Sequence, residues 1–127
     1  DTELEQGREM SMTIELPEGE KSRRKFERRL LSLLAQNPQT ALVHADALAQ
    51  TQWHGPTNAR LAESLLSFLS QQPDIAPAAL IASIAGQLPR AAGALTSASL
   101  APGEELESTV QYLVDELEIG DMEATLA

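Results

Sequence analysis

At 127 residues the chain has the length of one domain, and its 43% hydrophobic content is that of an ordinary globular protein. The net charge of −10 excludes a generally basic, nucleic-acid-binding surface, and the lack of cysteine excludes disulfides, thiolate metal sites and a cysteine nucleophile. No apolar run approaches the roughly 20 residues that span a bilayer, and no signal peptide pattern begins the chain. We therefore expect a soluble, cytoplasmic protein without a membrane partner.

The composition favours packed helices over β-structure. With one Trp, one Tyr and two Phe, the core must be built mainly from Leu, Ile, Val and Ala. We predict an all-α fold, a compact bundle of five to seven helices with a long C-terminal helix and a disordered N-terminal arm. Residues 1–17, which lack a sustained apolar period, are predicted to be a flexible acidic linker, and residues 18–127 form the helical domain.

The first half of the chain predicts two long helices and a short one. Apolar residues at helical spacing, with a break at Asn37-Pro38, predict a helix over 19–36 and a short one over 38–44. Residues 44–59 suggest a helical turn followed by a loop. A third main helix is expected over 57–71, with Thr57 or Asn58 as its cap.

The second half ends in the clearest helix of the sequence. Pro77 begins a short helix that ends before Gly86, and residues 88–100 predict a weak helix that carries Leu95. The last helix follows Gly103 and has a five-residue apolar stripe, formed by Leu106, Val110, Leu113, Val114 and Leu117.

A second apolar series continues beyond that stripe as Ile119, Met122 and Leu126. The pattern stops at Ala127 without a cap, which suggests a helix cut short or a surface that docks on a partner. We assign these three residues to partner binding, with packing back onto the bundle as the equally weighted alternative.

The sequence offers little chemistry. His44 and His54, with Asp46, are better explained as surface or capping residues than as a metal or catalytic pair, and the acids of the last helix are spread around it rather than spaced as a calcium loop. Ser64 lies too far inside a helix to carry a prosthetic group. No catalytic residue, metal or cofactor is predicted, and the chain is expected not to be an enzyme.

A cationic segment, Lys21 to Arg29, stands out in this acidic chain. Lys21, Arg24, Lys25 and Arg28 are possible phosphate contacts, and Arg23 and Arg29 would join them in a nucleic-acid binder. Because no stacking aromatic stands beside them, direct nucleic-acid contact is the less favoured interpretation, and a polar helix face is the favoured one.

The stretches "RRLLSLLAQNPQTALV", residues 28–43, and "NARLAESLLSFLSQQPDI", residues 58–75, resemble the C-terminal helicase-binding domain of bacterial DnaG-type DNA primases. The resemblance covers residues 21–127 and extends to the long closing helix, "GEELESTVQYLVDELE". It implies a non-catalytic domain that docks primase on the hexameric replicative helicase, so that primers are made at the fork. The domain alone is expected to be a monomer.

Members of that family continue through a long helix into a helical hairpin that makes much of the helicase contact. This chain ends where that connecting helix would continue, so the hairpin is expected to be missing. Two alternatives stay open. One is the N-terminal domain of the replicative helicase, which has a similar fold and would oligomerise and bind primase, and the other is a nucleic-acid-binding helical domain.

Overall fold

The computed structural model describes residues 17–126, and the side chains of residues 17–125. Within that range it contains six α-helices and one 3₁₀ helix, and no strand. The α-helices are α1 (Glu18–Ala35), α2 (Pro38–Val43), α3 (Ala45–Gln50), α4 (Pro56–Gln71), α5 (Pro77–Gln87) and α6 (Leu106–Leu126), and the 3₁₀ helix is Ala92–Thr96. The predicted all-α bundle with a long closing helix is confirmed. Its predicted N-terminal arm lies outside the described residues, apart from Pro17.

Prolines begin three of the six described α-helices, and the sequence predicted two of these starts, Pro38 and Pro77. Pro38, Pro56 and Pro77 each occupy the first turn of a helix, where the missing N–H costs no hydrogen bond. The Asn37-Pro38 break separates α1 from α2, and the Asn37 side chain donates to the Leu33 carbonyl at 2.8 Å. The chain therefore turns without leaving that carbonyl unpaired.

Three local predictions differ from the structure. Thr57 and Asn58 do not cap α4, because the helix already begins at Pro56 and Asn58 is buried inside it. The weak helix around Leu95 is a 3₁₀ helix of five residues, Ala92–Thr96, as expected for an Ala- and Gly-rich segment held only by tertiary contacts. The last helix begins at Leu106, and Glu104 accepts the Ala101 N–H in the preceding turn, where Gly103 has a φ of 88°.

The core lies between α1 and the surrounding helices. The C-terminal half of α1 is buried on most sides, since α6, α4 and the 3₁₀ helix all pack against it. Helix α5 packs mainly on α4. The apolar stripe of α6 supplies Val110, Leu113, Val114 and Leu117, all buried as predicted, whereas Leu106 is half-buried at the edge of the core. Helix α6 therefore has one face on the bundle and one face open to solvent.

Candidate partner-docking face

The outward side of α6 exposes large apolar side chains. Tyr112 is 54% exposed, Ile119 49% and Met122 58%, although the opposite side of the same helix is buried. Tyr112 and Ile119 are seven residues apart and share one side of the helix, and Met122 lies three residues further along, on the neighbouring strip. Val43, at the end of α2, is 75% exposed and borders the same shallow concavity as Tyr112. We call these four residues the docking face.

A groove adjoins the Met122 end of this face. It has a volume of about 610 Å³ and lies between α3, the following residues Thr51 and Gln52, and α6. Met122, Val114 and Ala47 are its apolar lining, and acidic groups flank them. The acids of the groove are Asp46, Glu118 and Asp121. A groove with an apolar floor and acidic edges suits a partner segment that carries both apolar and basic side chains.

A partly buried ionic network fixes the position of this part of α6. The Arg23 guanidinium donates to the Asp121 carboxylate at 2.7 Å, to the Leu117 carbonyl at 3.1 Å and to the Gln52 carbonyl at 2.8 Å. The other Asp121 oxygen accepts the Gln52 N–H at 3.0 Å. Arg23, on α1, therefore holds together α6 and the segment after α3, which are two of the walls of the groove.

The Arg23 side chain is anchored in turn by a buried carboxylate. Glu27 has no exposed surface, and it accepts the Arg23 Nε–H at 2.9 Å, the backbone N–H groups of His54 and Gly55 at 2.7 and 3.0 Å, and the Asn58 amide at 3.1 Å. Four donors satisfy the charge that burial would otherwise disfavour. The segment between α3 and α4 is thus tied to α1.

Of the three residues predicted for partner binding, Ile119 and Met122 lie on the docking face. Leu126 is the last residue of α6, but the described side chains end at residue 125, so its predicted role in partner binding lies outside them. Tyr112 and Val43, the other two residues of the docking face, were not predicted. Tyr112 had a usable signal, since it lies seven residues before Ile119 and off the core stripe, whereas Val43 had none because only the fold places the end of α2 beside α6.

The predicted cations lie on α1, away from its buried side. Lys25 and Arg28 are exposed, Lys21 and Arg24 are half-buried, and Arg24 pairs with Glu20 at 3.1 Å. Arg29 pairs with Glu104 at 2.7 Å, and Arg23 is committed to the network described above. The four possible phosphate contacts therefore share the outward side of α1, whereas Arg23 lies on the side of the same helix that faces Glu27 and α6.

The two histidines are not brought together. The His54 Nδ1 lies 3.0 Å from the Glu20 carboxylate, whereas His44 borders the concavity beside Val43. Among residues 17–126 no group of three or more His, Asp or Glu side chains could hold a metal ion. In the same part of the chain no helix is long and apolar enough to cross a membrane.

Among the described residues, the carboxylates of Glu20 and Glu104 have pKa values below their ordinary range. The hydrogen bond from His54 is the largest cause that lowers the pKa of Glu20, and Arg24 acts in the same direction. The pKa of Glu104 is lowered first by the Ala101 N–H and then by Arg29. Both groups hold structural contacts rather than line the docking face.

Comparison with known proteins gives no assignment: no family model, curated protein or solved structure matches the chain.

Proposed function

We propose that this domain is a non-catalytic docking module that binds the hexameric replicative DNA helicase of a bacterium and recruits primer synthesis to the replication fork. The proposal rests on the resemblance of residues 21–127 to the C-terminal domain of DnaG-type primases. The observation that carries it is the docking face on α6, where large apolar side chains remain exposed although the helix is anchored on its other side.

The surroundings of the docking face favour a protein partner over a small molecule. Its concavities are open, and their polar lining is a mixture of acids, amides, hydroxyls and His44 spread over a surface rather than convergent groups around an enclosed cavity. Burial of Ile119 and Met122 would supply association energy, and Asp115 and Glu118, both exposed beside them, would select a basic partner surface.

The test is a binding titration against the replicative helicase, using the longest chain that the gene encodes. Ile119→Glu and Met122→Glu should each weaken binding by about five- to tenfold, since loss of a half-exposed apolar contact costs about 1 kcal/mol or more. Met122→Leu should retain affinity because its size and polarity are similar.

Ala82→Glu is the matched control, since Ala82 is exposed on α5 and the change adds the same charge. If the unmodified chain does not bind the helicase, the proposed partner is refuted. Binding that weakens equally in Ala82→Glu would leave the partner in place but refute the docking face.

A further inference from the structure

The solvent face of α1 carries a line of cations. Lys21, Arg24, Lys25 and Arg28 follow the spacing i, i+3, i+4, i+7, which places them on one side of the helix over about 10 Å. The buried side of α1 holds Glu27 and the leucines that follow it. The four cations therefore form a stripe that faces away from the core, and we call it the cationic stripe.

A concavity lies at the Arg28 end of the stripe. It has a volume of about 390 Å³ and is bordered by Lys25, Arg28 and Arg29 on one side and by the backbone segment 97–99 on the other. That segment is held in place, because the Ser32 hydroxyl accepts the Ala98 N–H at 3.1 Å and the Gln36 amide donates to the Ala98 carbonyl at 3.0 Å. The concavity thus combines three cations with the serines of a fixed loop.

Carboxylates neutralise only part of this positive charge. Glu104 pairs with Arg29, and Glu20 pairs with Arg24. Within the described part of the chain no carboxylate forms an ion pair with Lys25 or Arg28, although the whole protein carries a charge of −10. Two neighbouring cations that no described carboxylate pairs with, at the mouth of a polar concavity, create a positive potential that attracts anions.

We propose that the cationic stripe binds the phosphodiester backbone of a nucleic-acid strand, with Lys25 and Arg28 as its centre. The elongated shape favours a polymer over a single anion, because the cations extend over about 10 Å of the helix, whereas one small anion contacts only neighbouring side chains. Phe26 is half-buried and packs against the core, and the stripe itself holds only cations, so we expect contact with phosphates and binding that is independent of base sequence. This inference uses α1 and does not depend on the proposed function of α6.

The test is fluorescence anisotropy of a labelled oligothymidylate of about 20 nucleotides, which exceeds the stripe in length. At low salt the unmodified chain should bind it, and log K should fall with log salt with a slope of about −1.4, as expected for two contacts of ~0.7 each, by Lys25 and Arg28. A labelled oligonucleotide of mixed sequence should bind within about twofold, because contact is restricted to phosphates.

The test variant is Lys25→Glu/Arg28→Glu, and its control is Arg60→Glu/Arg90→Glu. All four residues are exposed and both variants change the net charge equally, so general repulsion is matched. The test variant should lose about tenfold or more in affinity and the control less than about threefold. Circular dichroism should show unchanged helix content in both.

Four outcomes would overturn the inference. They are no binding by the unmodified chain at low salt, equal losses in the two variants, competition by inorganic phosphate at the same phosphate concentration as the oligonucleotide, and binding to vesicles of phosphatidylserine without binding to the oligonucleotide. The last two would assign the concavity to a single anion or to an acidic membrane surface.

Discussion

At the residue scale, Glu27 determines how the loop between α3 and α4 is held. It is fully buried on α1, and it is the acceptor for Arg23, for two backbone N–H groups and for Asn58. A buried carboxylate contributes favourably only when its charge is paired and hydrogen-bonded, and both conditions are met here. The sequence carried a signal for this burial, since Glu27, Leu30, Leu31 and Leu34 share the spacing of one helix face.

Glu27→Ala should therefore lower the free energy of unfolding by about 3–5 kcal/mol, because the Arg23 Nε–H and the backbone N–H groups of His54 and Gly55 would lose their acceptor. Urea denaturation measures this directly. Glu63→Ala, at an exposed position of α4, is the control and should change stability by less than about 0.5 kcal/mol. A loss below about 1 kcal/mol in Glu27→Ala would show that water replaces the carboxylate without penalty.

Glu20 predicts a specific acid response. Its folded-state pKa lies below the ordinary value of 4.5, chiefly through the His54 hydrogen bond, so the carboxylate stabilises the fold above that value. The contribution is lost as the pH falls through the lowered pKa, because the proton must then be bound in the folded state as well. Melting temperatures of the unmodified chain and of Glu20→Gln should converge on acidification below 4.5. A difference that stays constant with pH would contradict this assignment.

At the element scale, the C-terminal half of α6 is positioned by a close approach to α1. Arg23 reaches across to the Leu117 carbonyl, and a Cβ at Gly120 would lie 2.8 Å from its Nη1 atom. Glycine at this position leaves room for the guanidinium, which in turn fixes the helix that carries the docking face.

A pair of glycine substitutions tests this arrangement. Gly86→Ala, in α5 with open space at its Cβ, should stabilise the protein by about 0.5–1 kcal/mol through helix propensity. Gly120→Ala should fail to give this gain and should destabilise, because Arg23 must move from its carbonyl acceptor. Thermal or urea unfolding of both variants provides the comparison. Equal stabilisation by both would mean that the Arg23 contact is dispensable.

The elements themselves could largely be predicted from the sequence. Proline and the leucine periods predicted the positions of α1, α2, α4, α5 and α6, because they act through local backbone geometry and one-sided burial. The predicted cap of α4 was wrong because the role of Asn58 depends on a tertiary contact that local sequence patterns do not indicate. Asn58 bonds to Glu27, a partner 31 residues away that is brought close only by packing.

At the scale of the whole molecule, the exposed cations and the exposed large apolar side chains lie on different helices. The cationic stripe is on α1, and the docking face with its acidic surroundings is on α6. Ile119 and Met122 could be recognised in the sequence because they continue an apolar series beyond the core stripe. Their grouping with Val43 could not, since it depends on how α2 and α6 pack in three dimensions.

The proposed role requires that this outward face of α6 is buried in the complex while the rest of the bundle keeps its structure. Met122 is well suited to report it, because the sequence contains only three methionines, and Ile119 adds a second methyl-bearing probe on the same face. Ile84, fully buried in α5, is the internal reference.

The most direct measurement is methyl NMR of the chain as the replicative helicase is added. The methyl signals of Met122 and Ile119 should shift or broaden in proportion to the helicase present. The signal of Ile84, the buried reference, should keep its chemical shift. Unchanged Met122 and Ile119 signals under conditions where the helicase is bound would contradict the docking face, and no change anywhere in the spectrum would contradict helicase binding itself.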